Sequence, residues 1–133
     1  MTFDLPAAVP ELPVTNLREA TAYFQDSLGF SVDWTDADLG LAGLSSGNCR
    51  VFLANPDYRR ARGNAGPVLV WLNVNSKQEV DQLYRLWSGR NANLISKPES
   101  KPYGLHEFTA RDLDGNHLRV FYDFGTAERE GAA

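Results

Sequence analysis

The side chains most capable of chemistry fall in the segment Lys101–Tyr122, which contains His106, Glu107, His117 and Arg119. Imidazole and carboxylate groups can hold a divalent metal or move protons, so a catalytic centre would be expected here first. The segment has the pattern of two strands joined by a polar turn, with the two histidines at its opposite ends. At about 3.3 Å per residue they would lie about 16 Å apart, too far to share one metal ion.

Nucleophilic catalysis has less support. The single cysteine, Cys49, has no evident histidine partner in the sequence, and it cannot form an internal disulfide. Its flanks favour a strand, which predicts a small apolar residue rather than a reactive thiol. The chain has no glycine-rich phosphate loop after a strand. We find no set of residues that demands an enzyme.

Composition narrows the class of protein. The chain has 133 residues, of which 43% are hydrophobic, enough for one globular domain with a core. The net charge of -4 and the lack of a basic run predict no nucleic-acid partner. No apolar stretch approaches the roughly 20 residues that cross a bilayer, and the start MTFDLPAAVP has no basic segment typical of a secretory signal. We therefore expect a cytoplasmic protein without a membrane partner.

The elements that must position these side chains occur in two similar halves. Asn16 with Glu19, and Ser76 with Glu79, have the spacing of capping boxes, so one helix is predicted after each. The predicted strands are Val9–Val14, Phe30–Thr35, Leu39–Leu44, Cys49–Ala54, Pro67–Val74, Leu94–Lys97, Leu105–Arg111 and His117–Asp123. The order β-α-β-β-β thus occurs twice, at residues 8–55 and 67–124, within a single domain of residues 1–133. Neither half could bury a sheet face alone, so the two are expected to pack together.

Two segments carry a resemblance to a known family. The stretch VTNLREATAYFQDSLGF covers the first strand–helix unit, and RDLDGNHLRVF covers the last hairpin, where Gly115 suits a turn position with positive φ. Both are similar to segments of the vicinal oxygen chelate superfamily, which includes glyoxalase I, extradiol dioxygenases and bleomycin-resistance proteins. The resemblance covers roughly residues 8–124. It implies an α+β fold in which two βαβββ modules form a curved mixed β-sheet cup, with the helices on its convex side.

The resemblance also implies where a metal would be held. Enzymes of the superfamily take ligands from the opening and closing strands of each half, which correspond here to Val9, Val51, Leu69 and Arg119. Aliphatic side chains do not ligate metals, and a cation repels them. We therefore expect no metal and no cofactor. The alternative is a displaced metal site built from Glu11, His106 and Glu107.

Strand alternation and the family positions predict which residues line the cup. Trp71 and Phe121 would supply aromatic area, and Arg119 would need an acidic partner, either Glu107 or a group on a ligand. Trp34 and Trp87 are expected to pack under the helices instead. The predicted ligand-binding residues are Val51, Leu69, Trp71, Tyr103, His106, Glu107, Arg119 and Phe121.

The chain most resembles the bleomycin-resistance branch, which also lacks metal ligands and has a similar strand end to FLANP at Phe52–Pro56. This implies a homodimer that sequesters a small molecule, such as an antibiotic, without turnover. The Pro-rich segment Leu5–Pro13 is a candidate exchanging arm between protomers. Two alternatives remain. One is a metal-dependent glyoxalase-type lyase or dioxygenase with the displaced site, and the other is a dimeric interaction protein whose cup is filled by its own side chains.

Overall fold

The structure, a computed structural model, describes residues 3–63, 66–126 and 128 of the chain. The first half contains β1 (Glu11–Pro13), α1 (Leu17–Asp26), β2 (Ser31–Asp36), β3 (Leu41–Ser46) and β4 (Cys49–Ala54). The connector contains the short helix α2 (Pro56–Arg59) and a 3-10 turn (Arg60–Arg62). The second half contains β5 (Leu69–Asn73), α3 (Lys77–Gly89), β6 (Asn93–Leu94), β7 (Glu99–Ser100), β8 (Leu105–Arg111) and β9 (His117–Asp123). Within these described ranges, no helix has the length and apolar character needed to cross a membrane.

Each half folds into its own sheet. The first sheet has the strand order β1-β4-β3-β2, and the second has the order β5-β9-β8-β6, with β7 also paired to β8. In both sheets the first strand of the half runs parallel to the last, and the other pairs are antiparallel. The predicted α+β fold, an open and cup-like arrangement of mixed strands, is confirmed.

The predicted strand Leu94–Lys97 is wrong in its bounds. Pairing of β6 with β8 ends early, because the amides of Ile95 and Ser96 both donate to the carbonyl of Thr109, at 2.8 and 3.3 Å. Pro98 has no N–H with which to continue the ladder, and pairing resumes only at β7. This edge of the sheet is therefore built from two short strands instead of one.

Both long helices begin where the capping pattern predicts. Asn16 Oδ1 accepts from the Glu19 amide at 3.0 Å, and Ser76 Oγ accepts from the Glu79 amide at 3.1 Å. Each cap satisfies an amide that has no partner inside its helix. Because both helices follow the first strand of their half directly, the caps also determine where each helix crosses its sheet.

One hydrophobic core joins the two halves. Phe24 of α1, Trp87 of α3 and Phe108 of β8 are almost fully buried in it. The Trp87 indole contacts Phe108 edge to face, with ring centroids 5.6 Å apart, and its Nε1 donates to the Leu28 carbonyl at 3.0 Å. The predicted core position of Trp87 is confirmed. Because the inner face of each sheet covers this core, the other face of each sheet, here called its outer face, points away from it.

The turn between β8 and β9 also fastens the halves together. The fully buried side chain of Asn116 donates to the Pro13 carbonyl and to the Asp112 carboxylate, both at 2.8 Å. Its Oδ1 accepts from the Val68 amide at 3.0 Å. Gly115 has a φ of 84° in this turn, as the sequence pattern predicts. Burial raises the pKa of Asp112, although the hydrogen bonds that its carboxylate accepts act in the opposite direction.

Candidate ligand-binding site

The outer face of the second sheet carries most of the predicted site. Backbone register sets Trp71 of β5 beside Arg119 of β9, and Arg119 beside Thr109 of β8. Two residues further along β9, Phe121 lies beside Glu107 of β8. Alternation along each strand turns these five side chains to the outer face, while the residues between them pack against the core.

Trp71 is a large side chain left partly in solvent, with 46% of its surface exposed. Phe121 packs against it edge to face, with the ring centroids 5.4 Å apart. The guanidinium carbon of Arg119 lies 5.0 Å from the indole centroid, within the range of a cation–π contact. Arg119 is held there because its Nε donates to Thr109 Oγ1 at 3.1 Å. The indole is therefore fixed by its neighbours while nearly half of it remains open to solvent.

Glu107 is a buried carboxylate on the same face, only 6% exposed. Its Oε1 accepts from the Tyr103 hydroxyl at 2.7 Å, and this hydrogen bond raises the pKa of the phenol. Its Oε2 is buried and has no hydrogen-bond partner among the residues described. A buried acceptor without a donor destabilises a fold. Oε2 therefore marks a point where a donor from a ligand would be stabilising.

The structure brings most of the predicted site residues together. Those that lie on or beside the outer face of the second sheet are Leu69, Trp71, Tyr103, Glu107, Arg119 and Phe121. Leu69 pairs with His117 at the end of the face and is 41% exposed. Tyr103 reaches the face from the loop between β7 and β8. The other two predicted residues, Val51 and His106, lie elsewhere.

The predicted place of Val51 in the cup is wrong. Val51 is fully buried in the common core, and its neighbour Phe52 turns to the outer face of the first sheet. Val51 and Arg119 each lie four residues after the glycine of their turn, Gly47 and Gly115. The β3–β4 hairpin closes through a two-residue turn and the β8–β9 hairpin through a five-residue turn. Register pairs Val51 with Leu44 of the core but Arg119 with Thr109 of the outer face, so the count from the glycine does not determine the face.

The prediction that His106 belongs to the ligand site is also wrong. Its Nε2 lies 2.9 Å from Asp81 Oδ1 of α3, and its Nδ1 lies 2.8 Å from Ser100 Oγ of β7. His106 therefore faces the helix, on the side of β8 opposite to Glu107, and ties β7 to α3. Serine, histidine and aspartate also form hydrolytic triads, which need backbone amides near the serine to bind the oxyanion. The amide that follows Ser100, that of Lys101, is not available for this because it is already hydrogen-bonded within a turn. We interpret this chain of hydrogen bonds as a structural tether.

The residues on the outer faces do not fit a divalent metal. Glu11 lies on the first sheet and forms an ion pair of 2.6 Å with Arg62, whereas Glu107 lies on the second sheet and His106 faces α3. The structure therefore does not bring together the three side chains of the alternative metal site, Glu11, His106 and Glu107. At the two metal-ligand positions that the family resemblance implies for the second sheet, Leu69 is aliphatic and Arg119 is cationic, so neither can bind a divalent metal. In the described part of the chain, no three His, Cys, Asp or Glu side chains are grouped as a metal site requires.

The first sheet carries an aromatic group that the sequence interpretation missed. Trp34, expected under a helix, is 38% exposed on the outer face and packs edge to face on Phe52, with centroids 5.2 Å apart. Arg50 lies over the Phe52 ring at 5.4 Å. The pairing register shifts between Val32 and Trp34, and this bulge turns the indole outward. The signal that could have revealed it is Gly43, where a Cβ would lie 2.5 Å from the indole.

A cleft of about 500 Å³ runs between the two halves and reaches Trp71. Its walls come from the N-terminal segment, the β3–β4 hairpin, β5 and α3, and they include Ala8, Phe30, Cys49 and Leu83. Burial raises the pKa of the Cys49 thiol, which favours the unreactive protonated form. Trp71 thus stands between this cleft and the outer face.

Comparison with known protein families finds one family whose sequence model matches most of the chain. The sequence model of the Glyoxalase/Bleomycin resistance protein/Dioxygenase superfamily matches residues 7–120. No curated protein sequence matches the chain significantly.

Several solved structures have the same fold. A glyoxalase/bleomycin resistance protein/dioxygenase from Nocardioides has a TM-score of 0.72 and 17% identity, covering 92% of this chain and 87% of its own. Lactoylglutathione lyase from Agrobacterium tumefaciens has a TM-score of 0.72 and 20% identity, with coverages of 87% and 92%. The bleomycin-binding protein from bleomycin-producing Streptomyces verticillus, complexed with copper(II)-bleomycin, has a TM-score of 0.69 and 22% identity, with coverages of 90% and 97%. At these identities the likeness is one of fold.

Proposed function

This chain belongs to the Glyoxalase/Bleomycin resistance protein/Dioxygenase superfamily, and from that premise we propose that it binds a small molecule with a flat aromatic part on the outer face of the second sheet. The observation that carries the proposal is Trp71, which is 46% exposed yet fixed by Phe121 and Arg119. Exposed aromatic area held in a defined position is typical of a binding surface, because a ligand stacked on it removes apolar surface from water.

Binding without turnover suits these side chains better than catalysis does. Trp71 and Phe121 can stack, and Arg119 can donate hydrogen bonds, but the described residues of this face include no nucleophile paired with a base. We propose an antibiotic as the ligand, since a bleomycin-binding protein is among the structures with this fold. A metal-dependent lyase is the weaker candidate. Lactoylglutathione lyase shares the fold, but the acids and histidine that could build a displaced site here lie apart.

We also propose that the protein acts as a homodimer. The outer face of the first sheet presents Trp34 packed on Phe52, and β1 and β5 each lie at the edge of a sheet. Open edges and apolar faces of this kind are commonly covered by a two-fold partner. The N-terminal segment offers further apolar surface, since Phe3 and Leu5 are 76% and 82% exposed. The segment Leu5–Pro13 remains our candidate for an arm exchanged between protomers.

The binding proposal can be tested by calorimetric titration of the purified protein with bleomycin and with planar aromatic antibiotics. We expect saturable binding that Trp71→Ala weakens about 5- to 150-fold, the effect of losing about 1–3 kcal/mol of buried aromatic contact. Leu86→Ala is the matched control, because Leu86 is 48% exposed but lies on α3, away from the site. A ligand that binds Trp71→Ala as tightly as the native protein would place the binding site elsewhere.

A further inference from the structure

We infer that the ligand presents to Glu107 and Arg119 a neutral edge on which a hydrogen-bond donor lies beside an acceptor, as in a lactam or a carboxamide. The inference rests on the proposed function and adds the chemical class of the group that is recognised. Three features of the outer face support this inference. The first is the buried acceptor of Glu107, which has no donor, and the second is the cationic donors of Arg119, which have no acceptor among the described residues. The third is the short distance between these two side chains.

The acceptor is Oε2 of Glu107. The residue is 6% exposed, and Oε2 has no partner within the described part of the chain, whereas Oε1 is occupied by the Tyr103 hydroxyl. A carboxylate oxygen removed from water is destabilising unless a donor reaches it. On a surface that already offers aromatic area, the missing donor is naturally supplied by a ligand.

The donors belong to Arg119. Its Nε is used by Thr109, but its two terminal nitrogens make no hydrogen bond or ion pair with any residue that the structure describes. The guanidinium carbon lies over the Trp71 ring, so these nitrogens are held next to the stacking surface. A guanidinium presents its N–H groups in a planar fork that suits a carbonyl or carboxylate oxygen.

Sheet register places the two groups within reach of one ligand edge. Arg119 pairs with Thr109, and Glu107 pairs with Phe121. Arg119 and Glu107 are therefore diagonal neighbours on adjacent strands, and such positions lie about 7 Å apart. Both side chains point to the outer face, so their polar ends can approach the same molecule.

The opposite charges at this spacing select the kind of group. A carboxylate would be attracted by Arg119 but repelled by Glu107, and an ammonium would be attracted by Glu107 but repelled by Arg119. A neutral amide edge suits both residues, because its N–H donates to Glu107 Oε2 while its carbonyl accepts from Arg119. The flat ring that bears this edge would then stack on Trp71.

Tyr103 acts as a positioning residue in this arrangement. By donating to Oε1 it orients the carboxylate and leaves Oε2 for the ligand. Tyr103 lies on the loop between β7 and β8 with 61% of its surface exposed.

The test uses three probes that share a flat bicyclic ring, namely 2-quinolone, N-methyl-2-quinolone and quinoline-2-carboxylate. In calorimetric titrations of the native protein, we expect 2-quinolone to bind at least about 10-fold more tightly than its N-methyl derivative, in which a methyl group replaces the donor hydrogen. The difference should vanish in Glu107→Leu, which removes the acceptor. It should persist in Glu19→Gln, the matched control, because Glu19 is an exposed acid in the first turn of α1, away from the outer face of the second sheet.

The outcomes separate this inference from the proposed function. Equal binding of 2-quinolone and its N-methyl derivative, with both weakened by Trp71→Ala, would overturn the inference and leave the proposed function standing. Failure of 2-quinolone to bind, or tighter binding of the carboxylate, would also overturn the inference. Probe binding that is unaffected by Trp71→Ala would count against both. Should Glu107→Leu fail to fold, Glu107→Gln replaces it, and the difference between the two quinolones should then shrink.

Discussion

Gly43 illustrates how one residue shapes an outer face. The Trp34 indole lies against its backbone, and a Cβ at this position would be 2.5 Å from the ring. We expect Gly43→Ala to displace Trp34 and to lower the free energy of unfolding by about 1 kcal/mol or more, measured by urea denaturation with tryptophan fluorescence. Gly66→Ala is the control, because nothing lies within 4 Å of that Cβ position. Equal unfolding midpoints for the two variants would contradict this packing.

Asp112 should couple protonation to stability. Burial raises its pKa, so the folded protein holds this proton more tightly than the unfolded chain does. The stabilisation that follows is complete below the ordinary carboxyl pKa and is lost as the pH rises through the raised pKa of the folded state. Asp112→Asn cannot titrate. We therefore compare the free energy of unfolding of the native protein with that of Asp112→Asn between the ordinary and the raised carboxyl pKa. The difference, native minus variant, should decrease as the pH rises. An increase would contradict the raised pKa of Asp112.

Among the connections between elements, we expect the β8–β9 turn to contribute most to the free energy of unfolding. Asn116→Ala would leave the partly buried Val68 amide and the buried Pro13 carbonyl without partners. At about 1–3 kcal/mol for each such group, we expect urea denaturation to show a loss of about 3 kcal/mol. Asn93→Ala, at an exposed asparagine of β6, is the control. A loss no larger than that of the control would mean that the turn does not fasten the halves.

The same elements explain what the sequence could and could not predict. The helix starts at Asn16 and Ser76 depend on hydrogen bonds to residues three positions away, so a local pattern is sufficient. Trp34 does not lie on the predicted face because a bulge inverts strand alternation. Val51 does not lie on the predicted face because the same count from a turn glycine reaches the core in one hairpin and the outer face in the other. His106 was misplaced because its partner lies on α3, which no local pattern relates to β8.

For the molecule as a whole, the outer face of the first sheet and the open sheet edges predict a dimer. Sedimentation velocity at micromolar concentration should give a single species with twice the mass of one chain. Removal of the N-terminal residues through Ala8 should weaken this association if the arm is exchanged, while circular dichroism remains that of a folded protein. A monomer at micromolar concentration would contradict the proposed assembly.

The central claim is that a small molecule binds at Trp71, and fluorine NMR of protein labelled with 5-fluorotryptophan tests it most directly. The chain has three tryptophans, of which Trp87 is 2% exposed in the core and Trp71 is 46% exposed on the site. Their resonances can be assigned by substituting each tryptophan in turn. On titration with a ligand that binds saturably, the Trp71 resonance should shift to saturation while that of Trp87 stays in place. Saturable binding that leaves the Trp71 resonance unmoved would contradict the claim.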